Sequence, residues 1–172
     1  MLLSEKLEKM MNKQYTNEIA SALMYKNIAG FFDDRHLSGF AKFFQKKYQE
    51  ELGHGQRFYE YINSRDGKAV LGGITAAEIA FDDKNLVTPF YASLKHEQQV
   101  SSWIYDLYSQ AREEKDYSSE EFLNYFVKEQ IEEENEFLDL IARLELVKDS
   151  GEGIYRMNDH LFNMTTGLLE GI

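Results

Sequence analysis

The strongest constraint on this chain is its lack of chain breakers: Pro89 is the single proline, and no glycine occurs before Gly30 or between Gly73 and Gly151. A fold of many strands needs turns, and turns draw on those residues. Long helices are the alternative, and apolar residues do recur at steps of three and four along most of the chain. The spacing predicts helices over 4–33, 37–64, 89–115 and 119–148, with a short fifth over 152–165. Thr88 before Pro89 reads as an N-cap followed by a proline at the first helical position. Ser118 with Glu121 has the spacing of a capping box, and Gly151 reads as the stop of the fourth helix. The segment SRDGKAVLGGITAAEIAFDDKN separates the second helix from the third, while the other gaps are only a few residues long. That pattern predicts an all-α chain, residues 1–172 as one domain, with an antiparallel four-helix bundle over 4–148, one long crossover, and the short C-terminal helix.

The core-facing stripes carry acid. On the first helix the stripe runs Leu7, Met11, Gln14, Glu18, Ala22, Tyr25, Ala29, Phe32, and on the second Phe40, Phe44, Lys47, Glu51, His54, Phe58, Ile62. The third reads Phe90, Leu94, Glu97, Ser101, Ile104, Tyr108, Ala111, and the fourth Phe122, Phe126, Gln130, Glu133, Phe137, Ile141, Leu144. One glutamate on an apolar stripe ordinarily snorkels to solvent. Four together would each cost several kcal/mol as buried ions unless a positive charge lay among them. Lys47 is the one basic residue on these stripes, so a dication is the economical counter-charge.

The register sharpens the point. Glu18 to Glu51 spans 51 − 18 = 33 residues, with His54 three later; Glu97 to Gln130 spans 130 − 97 = 33, with Glu133 three later. The offset is therefore 97 − 18 = 79 throughout, as if one helical hairpin occurred twice around a shared pseudo-two-fold site. Thirty acidic against 19 basic residues give a net charge of −11, which disfavours a nucleic-acid surface and favours cations. With no cysteine there is no thiolate zinc site, iron–sulfur cluster or disulfide. Oxygen-rich ligation with one imidazole suits two bridged oxygen-philic ions, iron or manganese; calcium fits less well, since histidine is unusual for it and no EF-hand spacing occurs.

With Glu18, the motif Glu51-Leu52-Gly53-His54, Glu97 in LKHEQ, and Gln130 to Glu133 in YFVKEQIEEE, the chain resembles the bacterial non-haem ferritins over essentially its whole length. The resemblance extends to Tyr25 in SALMYKN, the crossover, and the SGEG segment before the fifth helix. It implies an iron-storing cage of 24 subunits with a di-iron ferroxidase centre in each bundle, oxidising Fe(II) with dioxygen or hydrogen peroxide. It further implies that Glu18, Glu51 and His54 hold one iron, with Glu51 bridging, that Glu97 and Glu133 hold the second beside Gln130, and that Glu50, Glu129, Glu132 and Glu133 form a third position. Four glutamates within six residues, at 129–134, otherwise read as a solvated face. Tyr25, two turns beyond Glu18 on the same face, either hydrogen-bonds a ligand or supplies an electron; a buried aromatic with a satisfied hydroxyl is the competing reading.

The chain departs from two related groups. Bacterioferritin and rubrerythrin place a second Glu-x-x-His on the fourth helix, where Gln130-x-x-Glu133 stands here, so the site is asymmetric. Bacterioferritin ligates haem through a methionine directly after the bridging glutamate; position 52 is leucine, and haem is not expected. The competing functions are a non-storing di-metal bundle enzyme, such as a rubrerythrin-like peroxidase or oxidase, and an iron-free helical scaffold. The N-terminal MLLSEKLEKM breaks its apolar run at Glu5 and Lys6, so neither a signal peptide nor a membrane span is expected, and the cytoplasm suits the chain. Twelve phenylalanines and eleven tyrosines look like more than one bundle buries alone, which favours self-association. Trp103 is expected at a helix–helix or subunit contact, and His36, His96 and His160 on the surface or at interfaces. Gly53 and Gly55, each costing about 1 kcal/mol within a helix, admit two explanations: close packing of a neighbouring helix, or room for iron to enter.

Overall fold

The computed structural model describes residues 2–74, 82 and 85–167. Five helices account for most of them: α1 Glu5–Asp34, α2 Ser38–Ser64, α3 Thr88–Glu113, α4 Tyr117–Val147 and α5 Gly151–Thr166. Each lies within two residues of its predicted span, because the 3.6-residue period carries the information. Three caps differ. Thr88 is the first helical residue, its hydroxyl donating to the Asn85 carbonyl at 2.8 Å, and Val87 stands at the N-cap without a side-chain bond. Asp116, not Ser118, caps α4: its Oδ1 accepts from the Ser119 amide at 3.1 Å, while Arg65 clamps its other oxygen at 2.9 Å. A carboxylate already held by a tertiary ion pair outcompetes a free hydroxyl for the role. Gly151 opens α5 rather than stopping α4, because Ser150 caps it by accepting from the Gly153 amide at 3.1 Å.

Side-chain pairings give the helix directions. The Phe32 ring lies 5.1 Å from that of Phe40, and at the far ends Leu7 and Met11 share an apolar cluster with Phe58 and Ile62, so α1 and α2 are antiparallel. Tyr91 reaches Glu145 at 3.3 Å and Arg112 reaches Glu120 at 4.0 Å, which makes α3 and α4 the second antiparallel pair. Phe40 packs on Phe90 at 5.8 Å, while Phe58 clusters with Ile104 and Leu107, so α2 and α3 run the same way. Parallel neighbours need a connection that travels the length of the bundle, about 40 Å for a helix of this size. Its first part runs along α1: Asn12 bonds the Lys68 carbonyl and the Val70 amide at 2.9 and 2.6 Å, and Gly72 N–H donates to Thr16 at 2.9 Å. Most of the remaining crossover lies outside the described residues.

The apolar interior is in two parts. Around Phe32, Phe40, Phe43, Phe44, Phe90 and Phe137 it is aromatic. At the opposite end Leu7, Met11, Phe58, Ile62, Ile104, Leu123 and Phe126 fill it. Every described phenylalanine is buried or half-buried within the single bundle, and the exposed aromatics are tyrosines such as Tyr91, Tyr105 and Tyr117. The abundance of aromatic residues therefore does not by itself call for partners. Three stripe positions, Leu94, Tyr108 and Phe122, are only half-buried, and their neighbours Ser93, Leu107 and Leu123 turn fully inward.

Two glycines mark close approaches. A Cβ on Gly39 would meet the Asn158 carbonyl oxygen at 1.8 Å, and the Gly39 amide donates to Asn158 Oδ1 at 2.7 Å, which seats α5 on α2. A Cβ on Gly55 would meet Ile19 Cδ1 at 2.8 Å, so α1 packs closely there and the end of the Ile19 side chain would have to shift to admit one. Gly53 has nothing within 4 Å of its Cβ position, and nothing in the structure explains it. Gly39→Ala is accordingly expected to lower the melting temperature and expose α5 to limited proteolysis. Gly53→Ala should raise stability by up to about 1 kcal/mol in chemical denaturation.

Candidate metal centre

Between the two apolar clusters every long helix turns a polar group inward. Gln14 and Glu18 come from α1, Lys47, Glu51 and His54 from α2, Glu97 and Ser101 from α3, and Gln130 and Glu133 from α4; all nine are buried. Glu18, Glu51 and His54 each present one ligand atom, and these atoms lie within 4.8 Å of one another. His54 Nδ1 is 3.4 Å from Glu51 Oε2 and 4.0 Å from Glu18 Oε2. Gln14 Nε2 donates to Glu18 Oε1 at 2.7 Å and orients the carboxylate. The other oxygen, Glu18 Oε2, is buried without a hydrogen-bond partner. Orphaned buried acceptors are costly and rare, and a cation at this point would satisfy this one.

The second half is arranged differently. Gln130 Nε2 donates to Glu97 Oε2 at 3.1 Å and to the Glu97 backbone carbonyl at 3.2 Å. The Tyr25 hydroxyl donates to Glu97 Oε1 in a short hydrogen bond, an arrangement that both a ligand-supporting tyrosine and a buried aromatic with a satisfied hydroxyl would show. Glu133 is turned toward Lys47, whose Nζ lies 2.6 Å from Glu133 Oε2. Of the outer set, Glu50 pairs with Lys46 at 3.2 Å and Lys47 at 3.4 Å, Glu129 is half-buried and Glu132 exposed. Among the described residues only Glu18, Glu51 and His54 form a close group of three ligand atoms. Two partners had weak signals in the sequence. Glu136 also pairs with Lys47, and its one clue is its place three residues after Glu133. His96, off the stripes, is nevertheless largely enclosed: its Nε2 lies 2.7 Å from Ser21 Oγ, and its ring stands edge-on to Tyr25 and Trp103.

Burial dominates the electrostatics. It raises Glu18 well above the ordinary carboxylate range, and the neighbouring Glu51 adds to the effect. Glu51 is raised by burial and then by Glu97. Burial lifts Glu133 to about 7 against the opposing pull of Lys47. For Lys47 burial works toward neutrality, yet Glu133, Glu136 and Glu50 together hold its ammonium charged. Burial and the Glu97 charge push Tyr25 up, which keeps it a protonated donor. The layer is thus short of positive charge, and protons stand in for part of it.

A bundle of long helices whose core is crossed by one layer of glutamates with an imidazole defines the class of carboxylate-rich metal-handling bundles. Residues 8–147 match the sequence profile of the ferritin-like domain, and the chain belongs to the ferritin family. It is 36% identical to the bacterial non-heme ferritin of Staphylococcus aureus (strain USA300) over 154 residues, covering 90% of this chain and 92% of that protein. The corresponding Staphylococcus epidermidis protein is 35% identical over the same length. A crystal structure of an open pore ferritin from the hyperthermophilic archaeon Archaeoglobus fulgidus superposes with a TM-score of 0.90 at 30% identity, covering 93% of this chain and 96% of that one.

These shifts predict how the apo protein responds to pH. A glutamate whose folded value is raised binds more protons in the native state than in the unfolded chain, so stability falls as pH rises between the two values. For Glu133 that window runs from the ordinary 4.5 to about 7, and Glu18 and Glu51 act in the same direction. Metal-free protein should lose melting temperature across this range in calorimetry, and Glu18→Gln should flatten the slope.

Proposed function

We propose that this chain stores iron and oxidises it on entry, with Glu18, Glu51 and His54 taking one Fe(II) and Glu97, Glu133 and Gln130 the other. Membership of the ferritin family carries storage. The observation that carries the oxidising step is the mid-core group of Glu18, Glu51 and His54, with an orphaned oxygen at Glu18 Oε2.

Each residue has a task. Glu51 stands between the halves, close to His54 on one side and electrostatically coupled to Glu97 and Glu133 on the other, which suits a bridging carboxylate. Gln14 fixes Oε1 of Glu18 and leaves Oε2 available to an ion, while both oxygens of Glu97 already accept, from Tyr25 and Gln130, so an ion binding there takes the place of a hydrogen bond. Protons held at Glu18, Glu51 and Glu133 are released when Fe(II) arrives, so loading and deprotonation are coupled. Anionic ligands stabilise Fe(III) more than Fe(II), and this biases the centre toward giving one electron per iron to dioxygen. Positioning both ions side by side is the protein's contribution to the barrier.

The A. fulgidus neighbour is a ferritin with an open pore, and a closed shell of copies is the assembly that storage requires. A cage of 24 subunits would weigh 24 × 20.1 = 482 kDa and carry 24 × −11 = −264 formal charges, a field that draws Fe(II) inward. Light scattering after size exclusion should return that mass. A persistent dimer would instead favour the non-storing bundle enzyme.

Stopped-flow oxidation of anaerobically loaded protein tests the centre itself. Glu18→Ala and His54→Ala should each slow the fast phase by about 100-fold or more, since losing even an outer support of a metal site costs about 10–100-fold. Both variants should remain folded, and apo Glu18→Ala should be no less stable than the parent, because one of several mutually repelling acids has gone. Wild-type rates in both would show that iron is oxidised elsewhere.

A further inference from the structure

Resting on the reading that this layer loads iron, we propose that Lys47 is a built-in cation occupying the outer position beside Glu133, so that each subunit takes two iron ions rather than three. Its ammonium lies 2.6 Å from Glu133 Oε2 and 3.4 Å from Glu50 Oε2, and it also pairs with Glu136. Carboxylates from α2 and α4 surround one point, and oxygen donors of this kind suit a hard divalent ion. Here the chain fills that point itself.

The ammonium is held from both sides. Lys47 is 2% exposed, and its Nζ sits 5.7 Å from the ring centres of both Phe43 and Phe137, which are fully buried. These rings close the apolar side, so the side chain cannot withdraw into the core. Swinging outward would take the counter-charge from Glu133 and Glu136, and breaking one side of the buried Lys47–Glu133 pair is strongly unfavourable. An ion arriving at this point has to displace a tethered charge already bonded to Glu133, paired with Glu136 and 3.4 Å from Glu50.

Two of the four residues that a third position would use, Glu50 and Glu133, are therefore committed to Lys47, while Glu129 and Glu132 remain outside any close group among the described residues. Lys47 engages Glu133 through Oε2 and leaves Oε1 outside the ion pair. Lys47 is on this account a positioning residue, acting through Glu133 rather than on the reacting atoms.

Counting ions tests it. Assembled protein is titrated anaerobically with Co(II), followed by its visible absorption, and with Fe(II) by calorimetry, and the tight sites per subunit are counted. Two are expected in the wild type, three in Lys47→Met and Lys47→Gln, where the acids are freed, and two again in Lys47→Arg. Three tight sites in the wild type, or two in the folded Met and Gln variants, would overturn the proposal while leaving the two-ion centre standing. A wild type that binds neither ion tightly removes both readings together. Should the neutral variants not assemble, the wild-type count decides by itself, two supporting and three refuting.

Discussion

Everything in this molecule turns on the cost of placing four glutamates in the middle of an apolar core. Ionised carboxylates removed from water are unfavourable by several kcal/mol each, and the bundle meets that cost by several routes at once. Gln14, Gln130 and Tyr25 donate hydrogen bonds to Glu18 and Glu97. Lys47 brings a positive charge to Glu133. Burial nevertheless favours the protonated form of Glu18, Glu51 and Glu133, and Glu18 Oε2 is left without a fixed donor. A fold that retains such a layer is arranged for something that arrives later.

The two apolar clusters make the arrangement tolerable. The rings of Phe32, Phe40, Phe43, Phe44, Phe90 and Phe137 interlock with centroid separations between 5.1 and 6.5 Å, and the end built from Leu7, Phe58, Ile104 and Phe126 is equally closed to solvent. Aromatic pairs at such distances add to the area they bury. Because stability resides at the two ends, the central layer is free to be shaped by chemistry. The parallel course of α2 and α3 follows from the same layer: the crossover must return the chain to the starting end for Glu97 to meet Gln130 at the level of Glu18 and Glu51.

The layer is also asymmetric. One half offers a histidine and two carboxylates with an oxygen to spare. The other half is already occupied, Glu97 by Tyr25 and Gln130, Glu133 by Lys47. An ion entering the first half finds ligands short of a cation, whereas an ion entering the second replaces existing bonds. On the proposed reading of the layer as a two-iron centre, this difference predicts unequal affinity of the two positions.

The sequence by itself determined the helices, the stripes and the acids on them. A period of 3.6 residues is written in neighbours along the chain, and the 79-residue repeat placed Glu18, Glu51, His54, Glu97, Gln130 and Glu133 at one level before any contact was known. Gln14 and Lys47 stood on those stripes too, but without partners. Tertiary structure decided the partners. Lys47 meets Glu133 across 86 residues, Tyr25 meets Glu97 across 72, and Asp116 replaces Ser118 as a cap because Arg65 arrives from 51 residues away. Which oxygen of an acid is bonded and which is left open depends on side-chain rotamers where two helices meet, and no periodicity along one helix encodes the approach of another.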